Sequence, residues 1–162
     1  RTVGFRLLVP LFGVAGRLAS VRARAVRLSA NQPKSVTPTG YATRGLFMAD
    51  ALARAALAGT VLGDGTPAAE ALRQRGLVIT EGEPDFLTWA TRWSDANEDA
   101  PAVIGVSAGS WTAELAERIP QGCSVAVRTH TDAAGDAYAN AIIRSISSKC
   151  PCFRLVPEVS HA

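Results

Sequence analysis

Two short apolar runs in this chain end abruptly in acid. Leu77-Val78-Ile79-Thr80 leads into Glu81-Gly82-Glu83-Pro84-Asp85, and Val125-Ala126-Val127-Arg128-Thr129 leads into His130-Thr131-Asp132-Ala133-Ala134-Gly135. A helix-like pattern follows each. In a parallel α/β sheet the carboxyl ends of the strands gather at one edge, where ligands bind. Two acidic clusters at two such ends would converge there. Carboxylates are the preferred ligands of Mg²⁺, which takes one or two of them together with water and phosphate oxygens. The residue types and their placement therefore predict a metal-dependent site for phosphate chemistry.

The elements that must position this site follow from periodicity. Leu77–Thr80, Ala102–Val106, Ser124–Thr129 and Cys152–Val156 read as strands. They alternate with helical patterns from Pro84 or Asp85 to Trp93, Trp111 to Arg118, and Ala133 to Ile146. Such alternation predicts an α/β fold with a mostly parallel sheet flanked by helices. Upstream, Phe5–Leu11 reads as a buried strand and Gly13–Gly16 as a turn. Arg17–Leu28 alternates with period two, with Arg22 and Arg24 projecting together opposite a small apolar face of Ala19, Val21, Ala23 and Ala25. Their spacing suits successive phosphates, because guanidinium groups bind phosphate oxygens bidentately. Ser29–Gly40 is loop. Leu46–Ala58 has helical spacing and stops at Gly59, and a short helix over Pro67–Gln74 would be capped by Thr66. The expected organisation is a small basic α+β amino-terminal lobe over 1–66 and an α/β domain over 67–162. Trp89 and Trp93 fall at core positions.

Bulk composition narrows the class. With 162 residues, 48% of them hydrophobic, the chain can build an ordinary core, and no apolar run approaches the ~18 residues that read as a membrane span. Net charge is only +3, but it is divided unevenly. Residues 1–45 hold eight of the 17 Lys and Arg and none of the 14 Asp and Glu. That asymmetry predicts one face for a polyanion. Three cysteines, two of them in Cys150-Pro151-Cys152, give neither a disulfide framework nor a zinc knuckle and predict reduced thiols in a cytoplasmic protein. A first residue of Arg rather than Met reads as a piece of a longer protein, or as a processed or mis-started reading frame.

The run Leu77 to Asp85, followed by a strand ending in Asp-x-x-Gly, resembles a Toprim domain, the catalytic module shared by bacterial-type primases, type IA and II topoisomerases and some nucleases. Glu81 matches its first motif, and Glu81, Gly82 and Asp85 fit the Glu-Gly-x-x-Asp run common in primases. Asp132 and Gly135 match the second Asp and the Gly of the second motif. His130 stands where that motif has its first Asp. The order Phe5-Arg6-Leu7-Leu8-Val9-Pro10-Leu11, Gly16-Arg17-Leu18, an Arg-bearing strand through Arg24, and Pro33-Lys34 is similar to the amino-terminal lobe of the bacterial replicative primase core. Primase-like proteins of plasmids, phages and integrated mobile elements are the nearest group.

This resemblance implies a Toprim-like fold and a nucleotidyltransferase of DNA replication, a DNA primase making short RNA primers on single-stranded DNA from nucleoside triphosphates, with a replicative helicase as a further partner. Glu81 would be a general acid/base or a metal ligand and Asp132 a metal ligand. Asp85 and His130 complete the expected metal set, and Arg6, Arg24 and Lys34 form the DNA-binding groove, to which Arg22 is added on its strand geometry alone. The cofactor would be Mg²⁺ or Mn²⁺. Imidazole is a poor ligand for Mg²⁺ and a better one for Mn²⁺ or Zn²⁺. His130 therefore leaves three outcomes: a site served by Glu81, Asp85 and Asp132 alone, a softer metal, or a weakened module that keeps nucleic-acid binding within a larger replication or mobilisation protein. A Toprim nuclease is disfavoured by the primase-like lobe, and a zinc hydrolase on His130 and His161 lacks ligand spacing. Three residues keep plainer alternatives: Asp85 as a helix cap, Asp136 as a helix-dipole partner, and Arg128 as half of an ion pair. Ser107-Ala108-Gly109-Ser110 could offer backbone N–H groups to phosphate. A nucleophilic serine there has no evident histidine–acid partner.

Overall fold

The computed structural model describes residues 4–28, 30–92, 99–107 and 109–156. Two sheets organise them. The first has three antiparallel strands, β1 (Phe5–Phe12), β2 (Leu18–Ala25) and β3 (Ser35–Val36). The turn between β1 and β2 closes through the Gly16 amide on the Gly13 carbonyl at 2.8 Å. Gly16 has φ +71°, and a Cβ there would meet the Arg54 carbonyl at 2.9 Å, so the turn uses glycine for both its backbone angle and its close approach.

The second sheet has the order β4-β6-β5-β7-β8: Met48–Ala49, Ala102–Val106, Leu77–Glu81, Val125–Arg128 and Cys152–Arg154. β4 is antiparallel to β6, and the other pairings are parallel. The helices are α1 (Ala51–Ala58), α2 (Ala68–Arg75), α3 (Gly82–Arg92), α4 (Ala113–Arg118) and α5 (Ala133–Ile146). This is an α/β fold with a mixed sheet flanked by helices. β5 lies at its centre, and its register sets Glu81 beside Val106 and Thr80 beside Arg128.

Alternation along the parallel strands sends side chains into two cores. Leu77, Ile79, Ile104, Val106, Val125 and Val127 pack with Leu57, Leu72, Leu115, Ile142 and Ile146 from α1, α2, α4 and α5. Val103, from the other side of the sheet, packs with Phe86 of α3, with Met48, and with Val9 and Leu11 of β1. The small sheet is thus held on the α3 side. Trp89 is partly buried against this second core, as its spacing predicted; Trp93 lies outside the described residues.

Three local differences from the sequence reading have physical causes. Leu46–Ala49 is not the start of a helix: Phe47 exchanges two backbone hydrogen bonds with Phe12, and Met48 and Ala49 pair with β6. Asp50 then caps α1 by accepting the Ala53 amide at 2.8 Å. A short apolar run rich in alanine carries no period that separates these two fates. Pro67, not Thr66, holds the cap position of α2, which begins at Ala68 without a side-chain cap; the Thr66 amide bonds the Asp64 side chain at 2.9 Å in the turn before it. α3 starts at Gly82, directly after β5, which puts Glu83, Pro84 and Asp85 in its first turn. The strand and helix at 48–58, assigned by sequence to the amino-terminal lobe, build the larger sheet and its core.

Candidate functional site at the carboxyl rim of the sheet

The ends of β5 and β7 meet through one hydrogen bond. The His130 amide donates to Glu81 Oε2 at 3.1 Å, so the first acidic strand end is tied to the loop carrying the second. That loop is held from three sides. Thr129, buried, donates from Oγ1 to the Gly135 carbonyl at 2.8 Å. Arg154, the last residue of β8 and the one paired with Val127, donates to the His130 carbonyl at 3.1 Å and to Thr129 Oγ1 at 3.2 Å, while pairing with Asp136 at 2.5 Å. Asp132 caps α5 by accepting the Gly135 amide at 2.7 Å.

The spacing Asp-x-x-Gly now has a structural reason. A Cβ on Gly135 would lie 2.1 Å from the His130 carbonyl oxygen, far inside contact distance. Glycine lets the first turn of α5 tuck beneath the loop, and Asp132, three residues earlier, satisfies the amide so placed.

Glu81 and Asp132 each use one carboxylate oxygen in these bonds. Among the described residues the other oxygen of each accepts no hydrogen bond. His130 is exposed beside them. Asp85 is not a cap: it faces Arg128, with Nε to Oδ2 at 3.9 Å. Among the described residues no group of three or more His, Cys, Asp and Glu side chains is gathered to hold a metal ion. That excludes an all-protein cage among the described residues; Mg²⁺ more commonly takes one or two carboxylates together with phosphate and water.

Ser107, the residue after β6, lies at the same rim. The Tyr138 hydroxyl donates to the Ser107 carbonyl at 2.9 Å and accepts the Trp111 amide at 3.2 Å. Burial pushes the Tyr138 phenol above its ordinary value, and the charge of Glu81 adds to that. The Ser107 hydroxyl accepts from Arg22 at 3.1 Å, which engages it structurally rather than as a nucleophile.

Arg22 and Arg24 do reach this side of the molecule, but not as free cations. They share a face of the small sheet with Val9 and Leu7, opposite them in register, and that face packs inward. Arg22 pairs with Glu83 Oε1 at 2.5 Å and Arg24 with Oε2 at 3.1 Å. Burial alone would raise the Glu83 carboxyl; the Arg22 hydrogen bond, the Glu83 backbone amide and the two guanidinium charges outweigh it and leave the carboxyl below its ordinary value. Nothing in the sequence shows that Glu83, an acid two residues beyond a strand end, meets β2. Leu8, on the opposite face, is 64% exposed.

The other two expected groove residues lie at the open end of the small sheet. Arg6 and Lys34 are exposed, and the Ala25 amide bonds the Lys34 carbonyl at 3.0 Å. Arg6, Gly4, Val26 and Arg27 line an open cavity of about 430 Å³. Of the remaining candidates, Asp136 meets Arg154, and His161 and Ala108 lie outside the described residues. No sequence signal marked Arg154, a lone arginine near a strand end.

No protein-family model matches this sequence, and no curated protein does. Among solved structures, the fold is similar to that of the zinc-binding and RNA polymerase domains of Aquifex aeolicus primase, with a TM-score of 0.58 over 96% of this chain and 16% sequence identity. This chain spans 35% of the length of that one. The likeness is one of fold.

Proposed function

We propose that this chain is the nucleotidyl-transfer core of a primase-like replication protein, joining nucleoside triphosphates into short RNA primers on single-stranded DNA. The observation that carries this reading is the Glu81–His130 contact, which draws two acidic strand ends together at the rim over which the arginine-bearing sheet docks. The fold similarity to a primase supports it. Glu81 and Asp132 would hold Mg²⁺ or Mn²⁺, with His130 beside them and Asp85 behind, balanced by Arg128. The ion, when bound, supplies charge neutralisation to the triphosphate and to the attacking hydroxyl. Arg154 and Thr129 fix the loop, Gly135 sets how closely α5 approaches it, and the basic sheet steers the polyanion toward the rim.

A second reading is favoured by one specific feature: an imidazole and a capping carboxylate occupy the loop where a stronger metal cradle would carry two free carboxylates. In that reading the chain is a weakened Toprim-like module that binds nucleic acid within a larger replication or mobilisation protein. Primer synthesis on single-stranded templates, with Mg²⁺ or Mn²⁺, separates the two. The first reading predicts activity in the parent that falls about 10²-fold or more in Glu81→Gln, the scale of losing a positioned acid–base group. Activity appearing only in His130→Asp selects the second. Activity unaffected by Glu81→Gln contradicts both assignments of the rim.

A further inference from the structure

The four cations expected to meet phosphate are not equivalent. Arg22 and Arg24 converge on a single carboxylate, each on a different oxygen, and Arg22 is held a second time by Ser107. The carboxylate is Glu83, only 7% exposed, in the first turn of α3 and two residues past Glu81. The bridge joins the small sheet to the central strand's own helix. An exposed ion pair contributes little, but a buried carboxylate shared by two guanidiniums leaves an uncompensated charge if either side is removed, which holds the arrangement closed. Arg6, Arg27 and Lys34 differ. They are exposed, they form no ion pair among the described residues, and no Asp or Glu occurs before Asp50 to neutralise them.

We propose that Glu83 is a positioning residue that commits Arg22 and Arg24 to docking the small sheet on the rim, so that a polynucleotide's phosphates are met by Arg27 together with Arg6 and Lys34 at the sheet's open end. The ligand class is the sugar–phosphate backbone of single-stranded DNA. This rests on the nucleic-acid part of the proposed function and assigns different tasks to the two ends of one ribbon. Phe5 pairs with Ala25, and Ala25 bonds Lys34, so the three cations gather where β1 begins and β2 ends. The cavity between Arg6 and Arg27 is open and walled by Gly4 and Val26, small enough not to screen it. Glu83 also ties this phosphate contact to Glu81, since Glu81 ends β5 and α3, which carries Glu83, begins at the next residue without an intervening loop.

The test is the salt dependence of oligothymidylate binding, measured by fluorescence anisotropy on the protein that carries this chain, with circular dichroism and thermal melting confirming each variant's fold. Each phosphate contact to a single strand contributes about 0.7 to the slope of log K against log salt. Arg27→Ala should flatten the slope by about 0.7 and leave the melting temperature unchanged. Arg24→Gln, which keeps the Arg22–Glu83 and Arg22–Ser107 bonds, should leave the slope unchanged. Glu83→Gln frees both guanidiniums and should bind roughly three- to tenfold tighter, with a slope steeper by about 0.7 to 1.4. The proposal is overturned if Arg24→Gln flattens the slope as much as Arg27→Ala does, or if folded Glu83→Gln keeps the parent's slope. It is also overturned if neither the parent nor Glu83→Gln binds. Should Glu83→Gln fail to fold, the contrast between Arg27→Ala and Arg24→Gln decides alone. Glu81-dependent primer synthesis with an overturned slope pattern would leave the proposed function standing and sink only this assignment.

Discussion

Glu81 and Gly135 show how little of the rim is decided by charge alone. Glu81 matters here because its carboxylate reaches a backbone amide on the next strand's loop, and the loop has a fixed shape only because α5 can approach it. Gly135→Ala puts a methyl group 2.1 Å from the His130 carbonyl oxygen, so loop or helix must move. The expected cost is about 1–3 kcal/mol, that of overpacking a close contact, read as a lower urea midpoint. An unchanged midpoint would mean that the loop is free to shift and does not hold Asp132 in place. Glu81 could be picked out of the sequence because it ends an apolar run, and Asp132 because it precedes a helix; Gly135 stands out only through the resemblance to the second Toprim motif. Glu83, Arg154 and Tyr138 could not be picked out. Their partners lie 61, 24 and 31 residues away, and no local pattern encodes such a meeting.

At the scale of elements, the parallel strands β5, β6 and β7 and the helix α5 could be read from the chain, because their apolar residues repeat at a period and their ends carry turn or capping residues. β4 could not, since its two residues become a strand only through Phe12 and β6. Asp50 is the hinge of that junction. Its side chain caps α1 and also accepts the Val103 amide of β6 at 2.6 Å. Asp50→Ala should cost about 1 kcal/mol for the cap and about 1–3 kcal/mol for the Val103 amide left without its acceptor. A loss well below that in chemical denaturation would show that water or a neighbouring carbonyl replaces the carboxylate. Burial pushes the Asp50 carboxyl above its ordinary 3.8, against the pull of the Ala53, Val103 and Leu52 amides. The folded chain therefore keeps that proton to a higher pH than the unfolded chain does, and stability is lost as pH rises from 3.8 through the folded value. Relative to the titration-free Asp50→Asn, the parent should be more favoured below pH 3.8 than at neutrality; melting temperatures of both proteins across that range would check the sign.

Over the whole molecule, the division of charge visible in the sequence corresponds to a division of space. The strands of the small sheet, from Phe5 to Val36, all lie within the acid-free first 45 residues, and the acidic strand ends form the rim it docks on. What the sequence could not disclose is which way the small sheet faces. Period two places Arg22 and Arg24 on one side but does not say whether that side meets solvent; Val9 and Leu11, on the same face, turn it inward toward Phe86 and Val103. The 48–58 segment likewise joins the larger core, through a two-residue strand and a capped helix. Among the described residues no helix is long and apolar enough to cross a membrane.

The central claim is that Glu81 and Asp132 form one cation-binding rim. Mn²⁺ titrated into isotope-labelled protein with a nucleoside triphosphate tests it without any need for turnover. Paramagnetic broadening should centre on the backbone amides of residues 81–83 and 130–135 and vanish in Glu81→Gln and in Asp132→Asn. Broadening centred elsewhere, or unchanged by both substitutions, would contradict the account.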